Sequence, residues 1–290
     1  MCSPIYSNNP PENGYDSKLE KHFISLLSDA TVSDINAKLT FVKHGIYLFI
    51  QYKEMGYVVN SFPEEVFWNM VNGLYRLIHD CSDKILELFL QVVKKDGFQV
   101  IKPFKQTDAH KVQQFEDATE FIKDIENMRI VHFHNMKIDS ITDKDKERKV
   151  EKNFQKILNN TIGPKSEAEW EHCITWIYKN CKNIQELLEE RIKFLQTEAT
   201  EEQRKLLCEK YFSCIRTYYS GIMFEIIKDI LRKKRENYKD CSRILALVNE
   251  NEKDIANKAI VLIQNADRRA DPYLAALQAA DIILTQKKQI

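Results

Sequence analysis

From Lys165 to Asp271 the chain holds no proline and one glycine, Gly221. Strands joined by tight turns need residues that reverse the backbone, and a stretch this long without them is poorly suited to a sheet. Helices need none. The apolar spacing agrees. In "FWNMVNGLYRLIHD", Phe67, Val71, Leu74 and Ile78 step by three or four, and in "MFEIIKDILRKKRE" Met223, Ile226, Ile227 and Ile230 form one stripe with the basic residues opposite. Start signals fall where helices should begin. Ser61 and Glu64 make a capping box with Pro63 early in the helix, Ser82 precedes "DKILELFLQVVKK", which should stop at Asp96-Gly97, and Ser166 with Glu169 makes a second box. The expected fold is all-α: a multi-helix bundle of roughly ten helices, as one body or as two packed helical subdomains. Only "DGFQVIKPF" reads as extended.

The joint between helical runs is "NNTIGPKS", residues 159–166, which combines Asn, Thr, Gly and Pro. It suggests an N-terminal helical bundle over 15–158 and a C-terminal helical domain over 166–290, after a polar tail at 1–14 that reads as disordered. That tail has neither a basic start nor an apolar centre, so it is not a secretory signal. No apolar run is long enough to span a membrane, and the most apolar stretch, "HGIYLFIQY", falls well short. Lys plus Arg and Asp plus Glu both number 43, a zero formal charge that argues against bulk attraction to nucleic acid. The seven cysteines are irregularly spaced with no CxxC pair. They suit free thiols in a reducing, intracellular and cytosolic setting, and no metal site or cofactor is expected.

Several groupings have the residue types that chemistry needs. In "ENMRIVHFHN", Arg129 and His134 lie five positions apart, about 500° around a helix, so they project obliquely across neighbouring turns. An arginine can stabilise charge on a phosphorane while a histidine moves a proton. This spacing resembles that of HEPN ribonucleases, in which such pairs from two domains meet to cleave RNA without a metal. The bland alternative is a helix end with partly exposed histidines. His172 and Cys173 are adjacent and point about 100° apart on a helix, so they do not form a nucleophile–base pair. The basic runs "LRKKRENYK" and "TDKDKERKVEK" read as solvated helix backs, and Trp170, Trp176 and Tyr178 as core aromatics.

The C-terminal stretch "NADRRADPYLAALQAADIIL" sets Asp271-Pro272 at the head of an apolar, alanine-rich helix. Asp is a preferred N-cap and Pro a preferred first helical residue, so a capping role needs no partner. Ahead of it run an amphipathic helix, a polar link and another helix. This order, with Ala270-Asp271-Pro272-Tyr273-Leu274-Ala275-Ala276-Leu277, resembles the VPS-nine family, exchange-factor domains for endosomal Rab GTPases, over about residues 220–290. The family's proline four residues after the aspartate is Ala275 here, and the proline stands at Pro272 instead.

The resemblance implies a guanine-nucleotide exchange factor whose partner is a small GTPase of the endosomal Rab group. Asp271 would be the acid that acts on the nucleotide site. Tyr273, Leu274, Ala275 and Leu277 would contact the GTPase, and the polar tail would suit a bacterial effector delivered to a host cytosol. A ribonuclease using Arg129 and His134, and a helical scaffold without activity, are the alternatives.

Overall fold

The computed structural model describes residues 28–40, 46–51, 62–90, 109–133, 141–160, 163–237, 239–266 and 271–288. Among these there is no strand, and nine α-helices carry the chain. They are α1 (Asp29–Thr40), α2 (Pro63–Tyr75), α3 (Asp83–Leu90), α4 (Ala109–Phe133), α5 (Ile141–Leu158), α6 (Glu167–Thr197), α7 (Glu201–Lys233), α8 (Cys241–Gln264) and α9 (Pro272–Lys288). A π-helical turn, Arg76–Asp80, extends α2. The protein is an all-α multi-helix bundle. None of the described helices is long and apolar enough to cross a membrane. The 1–14 tail, the "DGFQVIKPF" connector and the Asp96-Gly97 stop lie outside the described residues.

The helices pack in two groups. Helices α2, α4, α5 and α6 contact one another, and α7, α8 and α9 do the same. The short α3 touches α4 and α6 on one side and α7 on the other. The buried side chains nevertheless make one continuous cluster from Val32 to Leu284. Both predicted stripes lie inside it. Phe67, Val71, Leu74 and Ile78 are at most 5% exposed, and Met223, Ile226, Ile227 and Ile230 at most 3%. At the centre of the first group Phe67 meets Trp68, Trp170 and Phe154, with ring centroids 5.1, 5.3 and 5.7 Å away. Aromatic pairs at this spacing add to the burial of each ring.

The start signals meet different fates. Ser166 and Glu169 form the expected reciprocal capping box on α6. The one expected at Ser61 is displaced: the cap of α2 falls on Phe62, whose side chain has nothing to offer, while Pro63 takes the first helical position and Ser61 lies outside the described residues. Ser82 acts backwards rather than forwards. Its hydroxyl donates back to the carbonyls of Leu77 and Ile78 in the π turn, at 3.0 and 2.8 Å.

The apolar stretch near residue 48 is a buried, non-helical crossing. Residues 46–50 are all buried, so their backbone groups need partners inside the protein. Asn36 of α1 supplies three: its Nδ2 donates to the Phe49 carbonyl at 2.8 Å, and its Oδ1 accepts from Leu48 and Phe49 at 2.9 and 3.1 Å. Tyr47 N–H donates to the Tyr211 hydroxyl at 3.0 Å, and Ile50 N–H to the Cys81 carbonyl at 2.6 Å. These bonds tie α1, the end of the π turn before α3, and α7 to one strap, which ends beside the head of α9.

Candidate functional site

Asp271 is the N-cap of α9. Its Oδ1 accepts from the backbone N–H groups of Tyr273 and Leu274 at 2.8 and 3.0 Å, and its own carbonyl takes the first helical bond from Ala275 at 2.9 Å. This is the geometry that Asp followed by Pro predicts, since the Pro has no N–H to leave unsatisfied. The carboxylate is half-buried and accepts no other hydrogen bond among the described residues.

What holds this helix end still is a bed of tyrosines from α7 that sequence periodicity reads only as core. Tyr219, fully buried, donates its hydroxyl to the Pro272 carbonyl at 2.6 Å. Tyr211 and Tyr218 lie close by. Burial raises the pKa of all three phenols, and the charge of Asp271 raises them further. They stay protonated and act as fixed dipoles. Tyr273 donates its hydroxyl to Asp229 of α7 at 2.8 Å. Burial, with that donated bond, pushes its pKa to about 12, and Gln51 at the end of the strap also reaches the phenol. Glu225 adds a further negative charge nearby and is paired with Lys228 at 2.9 Å.

The residues expected to meet a GTPase divide by face. Leu274 is 62% exposed and Tyr273 half-buried, whereas Ala275 and Leu277 are 6% and 7% exposed and face α7 and α8. Helical periodicity dictates this, because the alanine stripe that lets α9 approach its neighbours closely includes Ala275, Ala276, Ala279 and Ala280. Of these four residues, Leu274 and the edge of Tyr273 are the accessible ones beside Asp271.

Arg129 sits near the end of α4 in a separate cluster. Its Nε donates to Asn72 Oδ1 at 3.0 Å, and its guanidinium carbon lies 4.7 Å from the Phe133 ring centre and 5.3 Å from that of Tyr75. Its Nη1 is buried with no acceptor among the described residues. One turn away His132 stacks on Trp68 at 3.8 Å with the rings nearly parallel, and Trp68 Nε1 is likewise buried with no acceptor among the described residues. Partial burial lowers the His132 pKa, so the ring is held neutral. His134 lies outside the described residues.

The remaining candidates are accounted for by packing. Cys173 is fully buried, and burial raises its thiol to about 12, while adjacent His172 points to solvent. In the basic run after Leu231, Lys234 pairs with Asp281 at 2.8 Å. Trp176 packs edge-on to Phe121 at 5.0 Å, on the wall of a polar groove of about 570 Å³ between α4, α5 and α6. Asp124 lines that groove beside Asn153 and Lys156, and burial lifts its carboxyl to about 6. No protein-family model, no curated protein and no solved structure matches this chain.

Proposed function

We propose that this protein is a guanine-nucleotide exchange factor for small GTPases of the endosomal Rab group, with Asp271 as the acid that enters the nucleotide site. The observation that supports this reading is the setting of Asp271: a carboxylate held at a helix end by one oxygen, with no second partner among the described residues, beside an exposed Leu274. A small GTPase holds its nucleotide through phosphate contacts to a lysine and a bound magnesium. A carboxylate brought to that site repels the phosphates, competes for the magnesium ligand set and pairs with the vacated lysine. By linkage, tighter binding to the empty GTPase weakens nucleotide binding by the same factor. The tyrosine bed fixes the acid in advance, and Leu274 with Tyr273 supplies the apolar contact that positions it. Ala275 and Leu277 serve from within by seating α9.

The decisive variant is Asp271→Asn. Asn caps a helix about as well as Asp, so the fold is kept while the charge is lost. In release of a fluorescent GDP analogue from endosomal Rabs, the native chain accelerates release and Asp271→Asn does not. Acceleration that survives the substitution overturns the acidic mechanism, and no acceleration by the native chain overturns the activity.

A second reading, a metal-independent ribonuclease using Arg129 and His134, has its own support. Arg129 Nη1 and Trp68 Nε1 are two buried donors without acceptors among the described residues, which a phosphate oxygen would satisfy. It predicts RNA cleavage that is lost in His134→Ala and kept in Asp271→Asn.

A further inference from the structure

The longest unbroken run of one charge in the chain, Arg232-Lys233-Lys234-Arg235, falls at the end of α7. All four residues are exposed, as is Lys239 a few positions on. The acids beside them are engaged elsewhere. Glu236 pairs with Arg243 at 2.6 Å, and Asp240 caps α8 by accepting the Arg243 N–H at 3.1 Å. Asp281 pairs with Lys234 at 2.8 Å, and Glu250 lies two turns along α8 from Arg243, lining the cleft between α7, α8 and α9. Arg232, Lys233, Arg235 and Lys239 are left with no acidic partner among the described residues.

The helix dipole accounts for part of this, because cations in a last turn face its negative end. It does not account for Arg235, which stands past the last turn with a φ of 56°. The helix ends in a Schellman arrangement: Glu236 N–H donates to the Leu231 carbonyl at 2.9 Å, and Arg235 N–H to that of Arg232 at 3.0 Å. This sets residue 235 in the left-handed region, which glycine fills without strain and arginine does not. Glycine would make the better cap, so what the arginine contributes is its exposed guanidinium.

Nucleic acid calls for a groove or stripe of positive charge that follows the strand. Here the cations gather at one helix end of a chain with zero formal charge, and a long polyanion would run on into acidic surface. A flat surface touches the end alone. We propose that the end of α7 docks on an anionic phospholipid bilayer, with Arg232, Lys233, Arg235 and Lys239 among the headgroups. Clusters of four or more Lys and Arg bind such surfaces, and each cation adds about fivefold to the affinity.

The test is co-sedimentation of the full chain with vesicles of phosphatidylcholine alone and of phosphatidylcholine rich in phosphatidylserine. The native chain sediments with the second kind only, and less as salt is raised. Arg235→Gly relieves the left-handed position, so its urea midpoint is unchanged or higher, yet it binds about fivefold more weakly. Glutamine at Arg232, Lys233 and Lys239 together weakens binding about a hundredfold. Asp271→Asn binds vesicles as the native chain does, which separates docking from exchange activity. The proposal is overturned if phosphatidylserine makes no difference, or if both sets of basic-residue variants bind like the native chain. Binding of an RNA duplex in place of the vesicles, lost in the same variants, assigns the patch to nucleic acid and also overturns it.

Discussion

Asn36 shows how much one side chain can hold. It alone satisfies three buried backbone groups of the strap at residues 48 and 49. Removing it strands those groups away from water, and each unmade bond costs about 1–3 kcal/mol. Asn36→Leu is therefore expected to destabilise the protein by about 3 kcal/mol or more, read from urea denaturation. Asp124 has the opposite character. Burial raises its carboxyl to about 6 from the usual 3.8, so the folded protein holds a proton that the unfolded chain releases. Stability then falls as pH rises from about 4 to about 6, and the penalty is fully present above that. Asp124→Asn should stabilise the protein at pH 7 by about 1 kcal/mol, after discounting for the solvent that reaches this group, and have no effect at about pH 3. Parallel urea titrations at the two pH values check both sign and window. Sequence reading missed both residues. An Asn in an amphipathic helix and an Asp on a polar face are legible as residue types, but what they face is set by segments far away in the chain.

At the scale of the element, local rules were readable where they involve only neighbouring residues. The Ser166 box formed as expected, and α7 begins with an equivalent one in which Thr200 and Gln203 exchange bonds. Thr200→Ala should cost about 1 kcal/mol of stability, seen as a lowered urea midpoint with unchanged slope. The lowered pKa of Glu169, caused by its bonds from Lys165 and Ser166, means that the α6 cap stabilises above the ordinary carboxylate range and weakens as pH falls through it. Gly221 lies on the exposed face in the middle of α7, and a methyl group there would meet nothing within 4 Å. Gly221→Ala is expected to stabilise by about 0.5–1 kcal/mol, because the unfolded chain loses freedom that the helix never used. Elements failed to follow local signals where the fold drew on distant atoms. The Ser82 hydroxyl serves the carbonyls of Leu77 and Ile78 in the π turn behind it instead of the helix ahead.

Over the whole molecule, the question is whether two packed groups of helices behave as one body. Trp68, Trp170 and Trp176 all lie in α2 and α6, within the first group, and none lies in α7, α8 or α9. The continuous buried cluster, with α3 and the strap touching α7, couples the groups. Urea unfolding followed by tryptophan fluorescence should therefore coincide with unfolding followed by far-ultraviolet circular dichroism. Two separated transitions would show that the α7–α9 group unfolds on its own. The expected joint at residues 159–166 falls between α5 and α6, and both of those helices pack within the first group.

The amino-acid sequence by itself determined the class of fold, the helix stripes and the start of α6 at its Ser166 box. These follow from a 3.6-residue period, from capping chemistry and from the scarcity of Gly and Pro, all of which act over a few residues. It also determined that Asp271 caps a helix. Only the tertiary structure decided what surrounds that cap: Tyr219 bonded to the Pro272 carbonyl, Tyr273 bonded to Asp229, Leu274 turned outward, and Ala275 and Leu277 turned in. Tyr219 and Pro272, or Asn36 and Phe49, meet because helices pack side by side. No local pattern specifies such meetings, since each depends on the register of one whole helix against another.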